Sequence, residues 1–110
     1  MTSTRYNVKL LACAADDLYE IHRYVELHES AQVADALLDD IEGVIAKLEK
    51  MPQRGHYLPE LERISVKQYR EIHHKPYRIL YEINGADVIV YCVLDGRRDM
   101  QTLLQQRLLR

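Results

Sequence analysis

Residues 77–99 read YRILYEINGADVIVYCVLDGRRD, and the fold turns on this stretch. Two runs of β-branched and aromatic residues flank Asn84-Gly85, the strongest two-residue hairpin signal, because both positions of such a turn need positive φ. Side chains alternate across a strand. Ile79, Tyr81 and Ile83 are therefore expected to share one face with Val88, Val90, Cys92 and Leu94, an apolar face suited to helices. The other face would carry Arg78, Leu80 and Glu82 beside Ile89, Tyr91 and Val93. An arginine there is an unusual choice for a merely solvated surface. Beyond the second strand, DGRRD bends at Gly96 and sends out Arg97 and Arg98. Antiparallel partners of residues 91–94 lie near 77–79. Arg78, Arg97 and Arg98 are thus expected at one rim with Lys75 close by, a cationic cluster with a binding role.

Upstream, RYNVKLL alternates with period two and predicts a half-buried strand. AADDLYEIHRYVELH then places Leu18, Ile21, Val25 and His28 at helical spacing, with Asp16 and Asp17 in the first turn, where carboxylates favour the positive helix end. After VELHES, Ser30 is a plausible cap for a second helix. Its stripe is Ala34, Leu37, Leu38, Ile41, Val44, Ile45 and Leu48. Gly43 within it suggests close approach of the first helix, and Pro52 and Gly55 break the run. VKQYREIHH reads as a strand. Downstream, Met100, Leu103, Leu104 and Leu108 share a helical face behind Asp99 as a cap. The order β-α-α-β-β-β plus a terminal helix predicts an α+β fold in a single domain, residues 1–110. An antiparallel sheet of about four strands would pack on an N-terminal helical hairpin. The opposite sheet face would be partly open to solvent or to a partner.

Composition limits the function classes. The 47% hydrophobic and 29% charged content is that of an ordinary soluble domain, and no apolar run reaches the roughly 20 residues that span a bilayer. The first residues are too weakly apolar for a signal peptide. Two cysteines without a framework, Cys13 and Cys92, suit a reducing compartment, so a cytoplasmic protein with two buried thiols is expected. Charge is asymmetric. Residues 1–50 hold five Lys/Arg against ten Asp/Glu, and residues 51–110 hold ten against seven. An anionic partner would meet the second half.

Other chemistries find little support. His73 and His74 are adjacent and on a strand point to opposite faces. His22 and His28 miss a shared helical face, and there is neither CxxC nor HxxxH, so no metal is expected. The four glycines form no phosphate loop, Ser65 lacks a triad, and no cofactor is implied. Tyrosines take the packing role of the missing Phe and Trp, with Tyr77 and Tyr91 as exceptions free to stack on a partner.

Four segments in this order resemble the toxin subunit of ParE/RelE-type toxin–antitoxin modules. They are A-x-x-D-L-x-x-I-x-x-Y at Ala14–Tyr24, L-x-x-M-P-x-x-G at Leu48–Gly55, YRILYEI and VLDGRRD. The resemblance implies a toxin held inactive by a cognate antitoxin. RelE-like members are ribosome-dependent mRNA endonucleases, and their stabilising arginines map to Arg78 and Arg98. The position six after Arg98 is Leu104, the segment after Asp99 carries no Tyr, His, Lys or acid, and the strand before Arg78 offers Tyr69 and Glu71 in place of lysines. His74 is then the one candidate base. ParE-like members inhibit DNA gyrase by binding it and need no acid–base pair. The resemblance to that branch is closer and implies a binder rather than an enzyme. Arg78, Arg97, Arg98, Lys75, Tyr77 and Tyr91 would meet the target. The antitoxin would cover the helical hairpin or the open sheet face, including Leu80, Ile89 and Val93, and such a patch would also favour a homodimer.

Overall fold

The computed structural model describes residues 5–108. In chain order the elements are β1 (Asn7–Leu10), α1 (Ala12–His28), α2 (Ala31–Ala46), β2 (His56–Tyr57), α3 (Pro59–Glu62), β3 (Arg70–His74), β4 (Tyr77–Asn84), β5 (Asp87–Asp95) and α4 (Met100–Arg107). Two 3-10 turns, Lys47–Glu49 and Pro52–Arg54, lead out of α2. The strands form one sheet in the order β1-β5-β4-β3-β2. The α+β architecture, the helical hairpin and the terminal helix are as expected.

The sheet has five strands rather than about four, and it is not wholly antiparallel. β1 runs parallel to β5, pairing Asn7–Leu10 with Asp87–Val90. β2 is a two-residue edge strand that no periodicity could announce, and β3 begins at Arg70 instead of Val66. The hairpin loop is Gly85-Ala86, closed by the Asn84–Asp87 pair, and only Gly85 takes positive φ. That is a glycine-first loop rather than the Asn-Gly form.

The ends of the helices follow local chemistry. Val33 N donates to Ser30 Oγ at 3.1 Å, capping α2 as read from the sequence. Asp99 caps α4, accepting from Thr102 N at 3.2 Å and Thr102 Oγ1 at 2.7 Å, bonds that hold its carboxyl below the usual range. α1 starts at Ala12, so Asp16 and Asp17 lie beyond its first turn. Asp17 has a different task. β1 ends at Leu10, leaving the outer backbone of β5 without a strand partner further on. There Cys13 Sγ donates to Tyr91 O at 3.2 Å, and Asp17, one turn later, accepts from Val93 N at 2.9 Å. Backbone groups at a part-buried edge must be satisfied, and two α1 side chains do it. Arg107 of α4 also binds Asp17, at 2.8 and 3.1 Å, which ties α1, β5 and α4 together.

A β-bulge between β4 and β5 corrects the face assignment. Leu80 pairs with Cys92 but Tyr81 pairs with Val90, so Tyr91 is the extra residue. Beyond it, Val93 joins Ile79 and Tyr81 against the helical hairpin, while Cys92 and Leu94 turn to the opposite side. That opposite face is not open. Leu58, Leu61, Met100 and Leu104, from α4 and the segment holding α3, cover Leu80, Cys92 and Leu94 in a second core. In the first core Ala14, Leu18, Ile41 and Ile45 meet Ile79, Val88 and Val90. Gly43 does not mark a close approach, since a Cβ there would meet nothing within 4 Å.

Only one of the expected buried thiols is buried. Cys13 is exposed, and Cys92 is enclosed, with burial pushing its pKa up to about 12. The thiolate is the reactive form. Native protein is expected to take a single carbamidomethyl group from iodoacetamide, on Cys13, and a second only in denaturant. Peptide mass analysis showing early modification of Cys92 would contradict this packing.

Candidate functional site

Arg78 belongs to a buried ionic cluster rather than a free cationic rim. It pairs with Leu94 on β5 and with His73 on β3, and Glu71 precedes His73 by two residues on the same face. α3 contributes Glu60 from the side. Arg78 Nη1 and Nη2 each reach a Glu60 oxygen at 2.8 Å, while Nε and Nη2 reach Glu71 at 2.6 and 2.8 Å. Both pairs are bidentate, the strongest geometry a guanidinium has. Glu71 is 1% exposed and the Arg78 side chain 13%. Bonding to Glu60, and then Glu71, raises the Arg78 pKa against the effect of burial, and Arg78 in turn holds the Glu60 carboxyl low. Gly96 permits the arrangement, because a Cβ there would come within 2.9 Å of Arg78 Cδ.

Arg97 and Arg98 stand apart from that cluster. They border a groove on the helical-hairpin side, lined by Glu20, Ile21, Tyr24, Tyr77 and Asp95. Arg97 folds back on Asp95, with Nε at 3.0 Å and Nη2 at 2.7 Å, and this lowers the Asp95 pKa. It keeps most of its surface in solvent. Arg98 and Lys75 are exposed. The expected meeting of three guanidiniums is thus divided between the two faces of the sheet.

Other expected residues move as well. Tyr77 is buried in the groove floor and its hydroxyl pKa is raised by burial. Tyr91 is half-buried and donates to Glu82 at 2.7 Å, a bond that pushes its pKa up to about 12. At this groove the aromatic side chain open to a partner is Tyr24. His74 is not near Arg78. It lies on the hairpin face with Nε2 3.9 Å from Asp40, and the histidine beside the arginine cluster is His73, whose Nε2 is 2.7 Å from Glu71 Oε1. Leu80 and Val93 are fully covered by the chain's own elements and Ile89 is half-buried, so they offer little to an antitoxin. Large exposed apolar side chains cluster instead on the hairpin, at Tyr19, Tyr24, Leu27 and Val33.

Two features escaped the sequence. Glu60 lies on a helix of four residues, too short for periodicity, whose only signal is Pro59 at its first position. His56 stands on β2 opposite Glu71, so that His56, Glu71 and His73 bring ligand atoms within 4.8 Å of one another. The histidine pairs weighed from sequence did not include this one, which only strand pairing creates.

A family model described as the ParE toxin of the type II toxin–antitoxin system, parDE, matches residues 8–100. This chain belongs to the ParE toxin family. Toxin ParE3 of Caulobacter vibrioides is similar to it, with 33% identity over 95 residues, 83% of this chain and 87% of that protein. The same fold occurs in the chromosomal ParDE system of P. aeruginosa, with a TM-score of 0.69 at 18% identity, covering 83% of this chain and 96% of that one. It recurs in the RelBE2 toxin–antitoxin complex of Mycobacterium tuberculosis, with a TM-score of 0.58 at 21% identity, covering 86% and 94%. As a ParE-family toxin the chain shares its backbone with both branches. Side chains on that backbone must carry any difference in activity.

Proposed function

We propose that this ParE-family toxin acts by gripping DNA gyrase and stalling replication, rather than by cutting RNA. The neutralisation of Arg78 is the observation that supports this reading most. Cleavage by a ribose 2′-OH needs an accessible cation for the crowded phosphate, together with a proton acceptor and a donor. Arg78 already directs Nε, Nη1 and Nη2 at two carboxylates, and those acids would repel a phosphate. Of the cations expected at the rim, Arg97, Arg98 and Lys75 are the ones at the surface. With Tyr24 beside the groove, Arg97 and Arg98 suit recognition of an acidic or DNA-bound partner.

One observation favours the ribosome-dependent endonuclease as a second reading. His73 beside Glu71 has the form of an oriented base. The two readings separate in a single assay set. Purified toxin is expected to inhibit gyrase supercoiling of relaxed plasmid, and an Arg97→Glu/Arg98→Glu variant to need at least about tenfold more protein, the worth of roughly 1.4 kcal/mol of lost contact. Absence of inhibition at any excess, with transcripts cut on translating ribosomes and that cutting lost in His73→Gln, would reverse the assignment.

An antitoxin partner belongs to the same proposal, as the RelBE2 relative is a toxin–antitoxin complex. The hairpin groove lined by Leu10, Ala15, Leu18, Tyr19 and Leu38 is the apolar surface suited to it, because the sheet face is already occupied. The cytoplasm, where gyrase works, is the compartment this function requires. Among the described residues no helix is long and apolar enough to cross a membrane.

A further inference from the structure

We infer that His56, Glu71 and His73 form a binding site for one divalent transition-metal ion, of the zinc or nickel type. The inference is independent of the toxin's target. The three residues come from adjacent strands, with His56 on β2 directly paired to Glu71 on β3 and His73 two positions further along the same face. Their ligand atoms lie within 4.8 Å of one another. His73 Nε2 is 2.7 Å and His56 Nδ1 is 3.8 Å from separate oxygens of the one carboxylate. Ligands about 2.0–2.1 Å from a tetrahedral ion are separated by about 3.3 Å, a value that falls between these two distances. Small rotations of two exposed imidazoles, 61% and 42% accessible, can reach it.

The carboxylate has capacity to spare. An ionised Glu offers about four lone-pair positions. Arg78 takes one on each oxygen, and the second position on Oε1 now faces His73. Arg78 also makes Glu71 a well-oriented ligand, as partners beyond the coordination shell do in metal sites. Charge does not oppose the ion. Glu60 and Glu71 outweigh Arg78 by one, and Arg54, at the edge of the same pocket, brings the local sum to zero. Two imidazoles and one carboxylate select for zinc, nickel, cobalt or copper over magnesium or calcium, which prefer oxygen alone. Three protein ligands leave one position open to water or to a partner's side chain. Bound there, the ion would fasten the two-residue strand β2 to β3, where only two residue pairs hold it.

Zinc chloride titrated into tag-free protein, followed by calorimetry and thermal unfolding, tests the site. One ion per chain is expected, with the unfolding temperature rising as free zinc rises because the ion binds only the folded chain. Magnesium at equal concentration should leave it unchanged. His56→Gln and His73→Gln should each weaken zinc binding by at least about tenfold, the lower bound for disturbing a metal site. His74→Gln, on the other face, should leave it intact. Both substituted side chains are exposed, so circular dichroism should show native folds. No zinc binding by the parent, or binding unaltered in a folded His56→Gln/His73→Gln double variant, would overturn the assignment.

Discussion

Replacing Arg78 by alanine should destabilise the toxin by about 3–5 kcal/mol, the usual cost of removing one partner from a buried ion pair. Stability of a small domain is about 5–15 kcal/mol, so the variant stands near the limit of folding. The cost arises because Glu71 stays behind, 1% exposed, with His73 as its remaining close partner. pH separates this cause from lost packing. In the parent, Arg78 lowers the Glu60 pKa, so that contribution is fully present above the unfolded carboxylate value and is lost as pH falls through the lower folded one. In the variant Glu60 has lost that cation, so this contribution is missing at every pH and the parent's advantage shrinks as pH falls. Urea midpoints of parent and variant should therefore converge as pH is taken from about 5 down through the carboxylate range. A gap that stays constant over that range would mean the loss is packing alone.

Gly55→Ala should cost about 3 kcal/mol or more, from overpacking together with a strained hydrogen bond. Gly55 has φ of −78°, open to any residue, so the penalty is one of space and not of backbone conformation. A methyl group there would strike the Tyr81 hydroxyl and approach Glu71 O to 2.6 Å. Tyr81 is fully buried, and its hydroxyl accepts from Gly55 N at 3.1 Å while donating to Pro52 O at 2.5 Å. Tyr81→Phe removes only that link and should cost about 1–3 kcal/mol by orphaning two buried groups. The two changes touch the same atoms, so the double variant should lose less than their sum. Strict additivity in chemical denaturation would show that the hydroxyl and the glycine do not meet.

Much of this was legible in the chain. The β4–β5 hairpin announced itself through alternation about a glycine turn. The α2 stripe, the Ser30 and Asp99 caps and the α4 face were legible because each depends on residues three or four apart. Asp17 was noticed but misassigned, since its partner Val93 lies 76 positions away. The bulge at Tyr91 was invisible, and it moved Val93 to one core and Cys92 and Leu94 to the other.

The sequence by itself determined the longer elements, their order and an arginine inside β4, because periodicity and capping act over a few residues. The tertiary structure alone decided what that arginine does. Glu60 and Glu71 lie 18 and 7 positions before it and reach it only once α3 folds over the sheet and β3 pairs with β4. Charge in a sequence has a sign but no neighbours. Whether a guanidinium is available to a partner or already neutralised depends on burial and on partners that chain folding brings within bonding distance.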